Sequence, residues 1–112
     1  MTVHGVVRRE PGRAEGAMTG VVRLEDTTLA DAPAVVVAQS PLAMRAGELE
    51  ASFTLNVPLG LDPKRRYSLA AELTGARSIY GTTVRHAWGP QQASQPAAVY
   101  VKRWTKGEGD AQ

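Results

Sequence analysis

The chain has 112 residues, of which 43% are hydrophobic and 21% are charged, close to the proportions of an ordinary soluble domain with one core. Its 13 Lys and Arg residues nearly balance its 11 Asp and Glu residues, and a net charge of +2 argues against nucleic-acid binding, which needs a clustered basic face. The sequence contains no cysteine, which excludes disulfides, thiolate metal sites and a cysteine nucleophile.

Alternation of apolar and polar residues is the dominant pattern along the chain, and it predicts β-strands. Phe53, Leu55 and Val57, for example, alternate with polar residues. In chain order the predicted strands cover residues 3–9, 18–26, 34–41, 51–57, 67–74, a segment from residue 78, and 98–103. About seven short strands separated by Gly- and Pro-containing turns predict an all-β fold, either an antiparallel β-sandwich or a small barrel, with little or no helix. We expect one domain over residues 1–104 and a flexible tail over residues 105–112.

Two segments in the middle of the chain depart from simple alternation. Residues 35–38 are apolar on both faces, which predicts a central strand buried on both sides or, as the less favoured alternative, an edge strand covered by a partner. Residues 42–50 have some helical propensity, but Gly47 interrupts them, so we expect a single helical turn there at most.

Residues that could carry chemistry are few and scattered. His4 and His86 lie in different predicted strands, and neither belongs to a set with metal-ligand spacing. No serine occupies a G-x-S-x-G turn, and no pair of carboxylates suggests a buried acid–base site. We therefore predict no catalytic residues, no cofactor, no metal and no enzymatic activity; a hydrolase would need a serine and a histidine within hydrogen-bond reach.

Aromatic residues near the end of the chain form a candidate interaction surface. Tyr100 and Trp104 share the outer face of the last predicted strand with Lys102, opposite the inward-facing Val99 and Val101. Aromatic side chains beside cations are frequent at protein interfaces. This pattern makes Tyr100, Lys102 and Trp104 a candidate surface for contact with another protein, although coverage of the core's rim or of an open end of the sandwich is the favoured role for such aromatics.

Further exposed features are predicted on other strands and loops. Tyr80 is placed on the outer face, opposite Ile79. Three small basic groups are expected to face solvent, and the first and third could form a patch for an acidic partner or anionic lipid headgroups if they meet in space. The groups are Arg8, Arg9 and Arg13; Lys64, Arg65 and Arg66; and Lys102, Arg103 and Lys106.

The stretch from Val22 to Ala34 reads VRLEDTTLADAPA and resembles the YbaY-type bacterial lipoproteins, a family related to the pilotin lipoproteins of type III secretion. Those domains carry a strand ending in Leu-x-Asp, followed by a Ser/Thr-Leu-Ala-Asp-Ala-Pro segment. Further matches lie at Val3-x-Gly5-x-Val7, at the strand from Phe53 to Val57, at Leu61-Asp62-Pro63, and at Arg66-Tyr67-x-Leu69-x-Ala71. The resemblance therefore spans nearly the whole chain.

Within that stretch, Asp26, Asp31 and Pro33 are predicted to be structural turn residues. The two carboxylates can accept hydrogen bonds from nearby backbone amides, and Pro33 fixes the entry to the following strand. Leu29 is then expected to insert into the core.

The resemblance implies an immunoglobulin/transthyretin-like β-sandwich and a non-catalytic envelope lipoprotein-type domain that binds another protein. Pilotin members of the group assist the placement or assembly of a secretin ring. A carrier of a small apolar ligand or lipid is the alternative function; it would need a cavity between the sheets, which small residues such as Ala34, Ala38, Ala70 and Ala71 could open.

The compartment depends on how the chain begins in its native reading frame. No apolar run approaches the roughly 18–20 residues that span a membrane, and the N-terminal residues include neither a signal peptide nor a lipid-accepting cysteine. A mature domain of the suspected family would lie in the periplasm or be anchored at the outer membrane, whereas a native start at Met1 would indicate the cytoplasm.

Overall fold

A computed structural model describes residues 1–29, 31–83 and 85–104, which form β-strands and connecting segments with almost no helix. The strands are β1 (Thr2–Arg9), β2 (Met18–Asp26), β3 (Val35–Met44), β4 (Glu50–Asn56), β5 (Tyr67–Thr74), β6 (Ile79–Gly81), β7 (His86–Trp88) and β8 (Ala97–Trp104). One short 3-10 helix, Pro90–Gln92, follows β7. The predicted all-β fold is confirmed. The predicted tail over residues 105–112 lies outside the described residues.

Backbone pairing links the strands into a single sheet that nearly closes into a barrel. Its order is β3-β2-β5-β6-β8-β1-β4, and β7 pairs with β5 beside this path. β8 joins the two halves, because its first part pairs in parallel with β1 and its last residues pair antiparallel with β6. The two ends of the path, β3 and β4, pack against each other. The two-layered immunoglobulin-like sandwich is not confirmed, since one hydrogen-bonded path continues through β8.

The core lies on the inner face of this sheet and follows the alternation in the sequence. Phe53, Leu55 and Val57 are all buried, as predicted, and so are Val99 and Val101. Burying such side chains contributes about 1.5–3 kcal/mol each. The other buried apolar residues are Val3, Val7, Met18, Val22, Leu24, Leu42, Met44, Ala51, Tyr67, Leu69, Ala71, Leu73, Tyr80 and Trp88.

The strand β3 is at one end of the sheet, so the favoured prediction of a central strand at residues 35–38 was wrong. Val35 is 63% exposed and Val36 is 46% exposed. Pairing with β2 shifts register between Leu24 and Glu25, which leaves one extra residue on β3 in a bulge. The same strand continues to Met44 and so includes the first three residues of the segment 42–50, for which a single helical turn was considered.

The segment from residue 78 forms two short strands, which raises the count from about seven to eight. Thr82 marks the division: its backbone N–H donates to the carbonyl of Ala71, and its hydroxyl accepts a 2.8 Å hydrogen bond from the Ala71 N–H. The hydroxyl therefore replaces a backbone acceptor in the ladder, and the chain leaves β5 before returning to it as β7.

Candidate interaction surface

The outer face of β8 carries the three side chains singled out in the sequence. Tyr100 is 52% exposed and Trp104 is 54% exposed, with Lys102 exposed between them. Val99 and Val101, which alternate with these residues along β8, are fully buried on the opposite face. Because the backbone of β8 is paired on one side along most of its length, the outward direction of these side chains is fixed by the sheet.

Ile79 extends this surface, and sequence reasoning missed it. Ile79 is paired with Trp104 across β6 and β8 and is 43% exposed. Tyr80 was predicted to face outward but is 1% exposed, so the two residues have the opposite orientation to the one predicted. A three-residue strand carries too little alternation to set its inward face, and the hydroxyl of Tyr80 finds a buried partner in Glu15 at 2.7 Å.

Around Tyr100 the surface becomes polar. The ring of His86 lies 5.9 Å from the Tyr100 ring, and its Nε2 accepts a hydrogen bond from the Tyr100 backbone N–H. Arg8 on β1 donates to the Tyr100 hydroxyl at 3.5 Å and forms a 2.8 Å ion pair with Glu50. These hydrogen bonds, first to Glu50 and then to Tyr100, raise the pKa of Arg8. We define the β8 surface as Ile79, Tyr100, Lys102 and Trp104, bordered by Arg8 and His86.

The first and third basic groups lie close together, because Arg8 and Arg9 pair with Tyr100 and Val101 of β8, but the described arginines of both groups are held by hydrogen bonds within the protein. Lys106 lies outside the described residues. Arg9 is 5% exposed and donates to the carbonyls of Glu48 and Arg13. Arg103 is also held within the protein. Its backbone N–H donates to the Glu10 carboxylate, and its guanidinium donates to the Ser78 hydroxyl. A basic patch made from these two groups is therefore not the outstanding feature of this face.

Of the predicted turn residues, Asp26 is the last residue of β2, and Asp31 and Pro33 lie in the connection between β2 and β3. Asp26 accepts hydrogen bonds from the hydroxyl and the backbone N–H of Thr28, and from Arg65. The Thr28 hydroxyl, the Arg65 guanidinium and the Thr28 amide, in that order of effect, lower the pKa of Asp26 from 3.8 to about 2. Asp31 and Pro33 are exposed. Leu29 is 65% exposed, so its predicted insertion into the core was wrong.

We expect Asp26→Ala to lower the midpoint of urea unfolding, because three donors lose their acceptor. Asp31→Ala is the matched control in the same connection, since among the described residues its side chain accepts no hydrogen bond. The folded pKa of Asp26 lies below its ordinary 3.8, so its stabilising contribution is present above pH 3.8 and is lost as the pH falls toward 2. An equal loss of stability in both variants would contradict this assignment.

The histidines show no catalytic or metal-binding arrangement in the part of the chain that the structure describes. His4 lies beside Thr54 on the exposed face of β1, and His86 contacts the backbone of Tyr100. Among residues 1–29, 31–83 and 85–104, no serine is hydrogen-bonded to a histidine, and no three His, Cys, Asp or Glu side chains form a metal-binding cluster. None of the described helices is long and apolar enough to cross a membrane.

Four concave regions formed by the described residues are open surface clefts. The larger ones have volumes of about 390 and 410 Å³ and lie between loops and strand ends. Ala71 packs within the core, while Ala34 and Ala70 line a smaller open cleft. The carrier function, which needs a deep apolar cavity inside the fold, therefore finds no support.

Comparisons with known proteins agree with this fold. A family model described as the type III secretion system lipoprotein chaperone YscW matches residues 1–99. The structure of an alternative pilotin from the type II secretion system of Vibrio cholerae superimposes with a TM-score of 0.77 and 21% sequence identity, covering 94% of this chain and 97% of that one. A search of curated protein sequences returned no match.

Proposed function

The chain belongs to the family of type III secretion system lipoprotein chaperones, and we propose that it is a non-catalytic accessory of secretion-system assembly that binds its partner through the β8 surface. Its proposed partner is the secretin subunit of its own secretion system. Assignment to the narrower YbaY-type group is part of this proposal and rests on the stretch from Val22 to Ala34.

The observation that carries the proposal is the exposure of Tyr100, Trp104 and Ile79 on adjacent strands. Each is about half exposed, although the sheet has an inner face that buries many comparable side chains. Tyr and Trp are the residues most often found at the energetic centre of protein interfaces, where loss of one costs 2 kcal/mol or more, about a 30-fold change in affinity. Arg8 and His86 at the border provide the polar rim that such interfaces have.

We propose an envelope location, because the family to which the chain belongs consists of lipoproteins. In that setting the β8 surface would have to face away from the membrane anchor to reach a partner. β8 forms the seam between the two halves of the sheet, so its outer face is presented on a rigid element rather than on a loop.

The test is a pull-down of the detergent-solubilised secretin subunit on immobilised protein. We expect Tyr100→Ala/Trp104→Ala to reduce recovery about tenfold or more relative to wild type. Leu29→Ala/Leu59→Ala is the matched control, since it removes two apolar side chains that are 65% and 82% exposed elsewhere. Wild-type recovery by the Tyr100/Trp104 variant would exclude the β8 surface.

A further inference from the structure

A second concave region lies away from the β8 surface, beside the start of β5. It is an open cleft of about 390 Å³ between the segment leading into β5 and the segment from Arg85 through the 3-10 helix. Three arginines, Arg65, Arg66 and Arg85, line it together with the aromatic rings of Tyr67 and Trp88. Among the described residues that line it, none is Asp or Glu.

The backbone around two of these arginines is held in place by the end of β2. The N–H of Thr27 donates to the carbonyl of Arg66 at 2.8 Å, and the N–H of Arg66 donates to the Thr28 hydroxyl at 2.9 Å. Asp26 fixes Arg65 in addition. The connection between β2 and β3 therefore positions basic side chains at the cleft as well as forming a turn.

The positive charge of the cleft is only partly neutralised. Asp26 is committed to Arg65 and Thr28, and the Asp62 carboxylate accepts from the backbone of Lys64. Within the described ranges, neither Arg66 nor Arg85 has a carboxylate within ion-pair distance. Arginine side chains without an acidic partner in a concave site favour a ligand that carries carboxylate or phosphate.

Trp88 is part of the aromatic wall of the cleft. Its ring packs edge-on against Tyr67 at 6.5 Å and forms an apolar wall of the cleft. Trp88 is 6% exposed, and its Nε1–H is a buried donor without an acceptor among the described residues. Buried donors are rarely left without a partner in folded proteins. Trp88 thus contributes the small exposed part of its ring to the wall of the cleft, whereas its unpaired Nε1–H is buried and is not itself open to a ligand.

We infer that this cleft binds an acidic peptide segment of a partner protein, with a carboxylate paired to Arg66 and Arg85 and an apolar side chain against Trp88. A concave site with aromatic walls fits a peptide chain. The flat surface of anionic lipid headgroups would instead bind to exposed cations on a convex face of the protein. The inference goes beyond the proposed role of the β8 surface and uses none of its residues, so each can fail without the other.

Nuclear magnetic resonance of the full ¹⁵N-labelled chain tests the inference, because the protein has two tryptophans whose indole N–H signals report separately on the two sites. The probe is a terminally blocked hexapeptide of alternating Glu and Leu. We expect titration to shift the Trp88 signal and leave that of Trp104 unchanged. A Trp104→Phe variant assigns the two signals.

Two variants with the same loss of charge separate a defined site from general attraction. Arg66→Gln/Arg85→Gln is expected to weaken the peptide about tenfold or more, whereas Lys64→Gln/Arg77→Gln, which removes two cations outside the cleft, should change affinity less than about twofold. Equal binding of a peptide with Gln in place of Glu, equal effects of the two variants, or an unmoved Trp88 signal would overturn the inference. So would a Trp88 shift of the same size with inorganic phosphate alone or with phosphatidylglycerol vesicles, since the ligand would then be a phosphate group or a membrane.

Discussion

Gly20→Ala is expected to destabilise the fold by about 4 kcal/mol or more, which places it among the most damaging single substitutions. Gly20 lies within β2, opposite Leu73 of β5. A Cβ at this position would overlap the carbonyl oxygen of Glu72 and lie 2.7 Å from its carbonyl carbon. Because the obstacle is backbone and not a flexible side chain, β2 and β5 would have to separate.

Urea unfolding followed by circular dichroism measures this loss. Gly16→Ala is the control, since a Cβ at Gly16 meets no atom within 4 Å and the substitution should leave stability unchanged or slightly raised. If the two variants unfold at similar urea concentrations, the conclusion that β2 and β5 approach too closely for a Cβ at Gly20 is wrong.

Glu15→Ala is expected to destabilise the fold by about 2–4 kcal/mol. The Glu15 side chain is 8% exposed, pairs with Arg13 at 3.2 Å, and accepts hydrogen bonds from the hydroxyls of Ser78 and Tyr80. Both hydroxyls would lose their acceptor, and the loop between β1 and β2 would lose its attachment to β6. The neighbouring buried guanidinium of Arg9, 5.9 Å above the Tyr80 ring, would also lose a compensating negative charge.

The same carboxylate predicts a specific dependence on pH. Burial raises the pKa of Glu15, but the hydrogen bonds from Tyr80 and Ser78 and the charges of Arg13 and Arg9 outweigh it, and the net pKa lies below its ordinary 4.5. A lowered folded pKa means that the stabilisation is present above about pH 4.5 and is lost as the pH falls through the folded value. Glu15→Gln retains an acceptor without the charge, so its stability should fall less steeply than that of wild type below pH 4.5. Parallel pH profiles for the two proteins would contradict the role of the charge.

Strand positions were predictable because alternation in the sequence directly reports which side chains a strand buries. Phe53, Leu55 and Val57 were assigned to the core on that basis and are there. The order of the strands was not predictable, because a run such as residues 35–38 has the same apolar character in a central strand and in a bulged edge strand. Its position at the edge follows from long-range pairing with β2 alone.

The candidate surface was only partly predictable for a related reason. Tyr100, Lys102 and Trp104 lie on a long strand, where alternation fixes the outer face. Ile79 and Tyr80 lie on a strand of three residues, and their orientation depends on Glu15, which is 65 positions from Tyr80 in sequence. The arginine cleft brings Arg66 and Arg85 together through the pairing of β5 with β7, and no spacing in the sequence signals that contact.

Measuring secretin multimers in outer-membrane fractions tests whether this protein assists secretin assembly through the β8 surface, as we propose. A strain lacking the protein would be complemented with wild type, with Tyr100→Ala/Trp104→Ala, or with Leu29→Ala/Leu59→Ala, each expressed at equal level. We expect wild type and the Leu29/Leu59 variant to restore the multimers and the Tyr100/Trp104 variant to fail to restore them. Full restoration by the Tyr100/Trp104 variant, or normal multimers in the strain without the protein, would contradict this proposal.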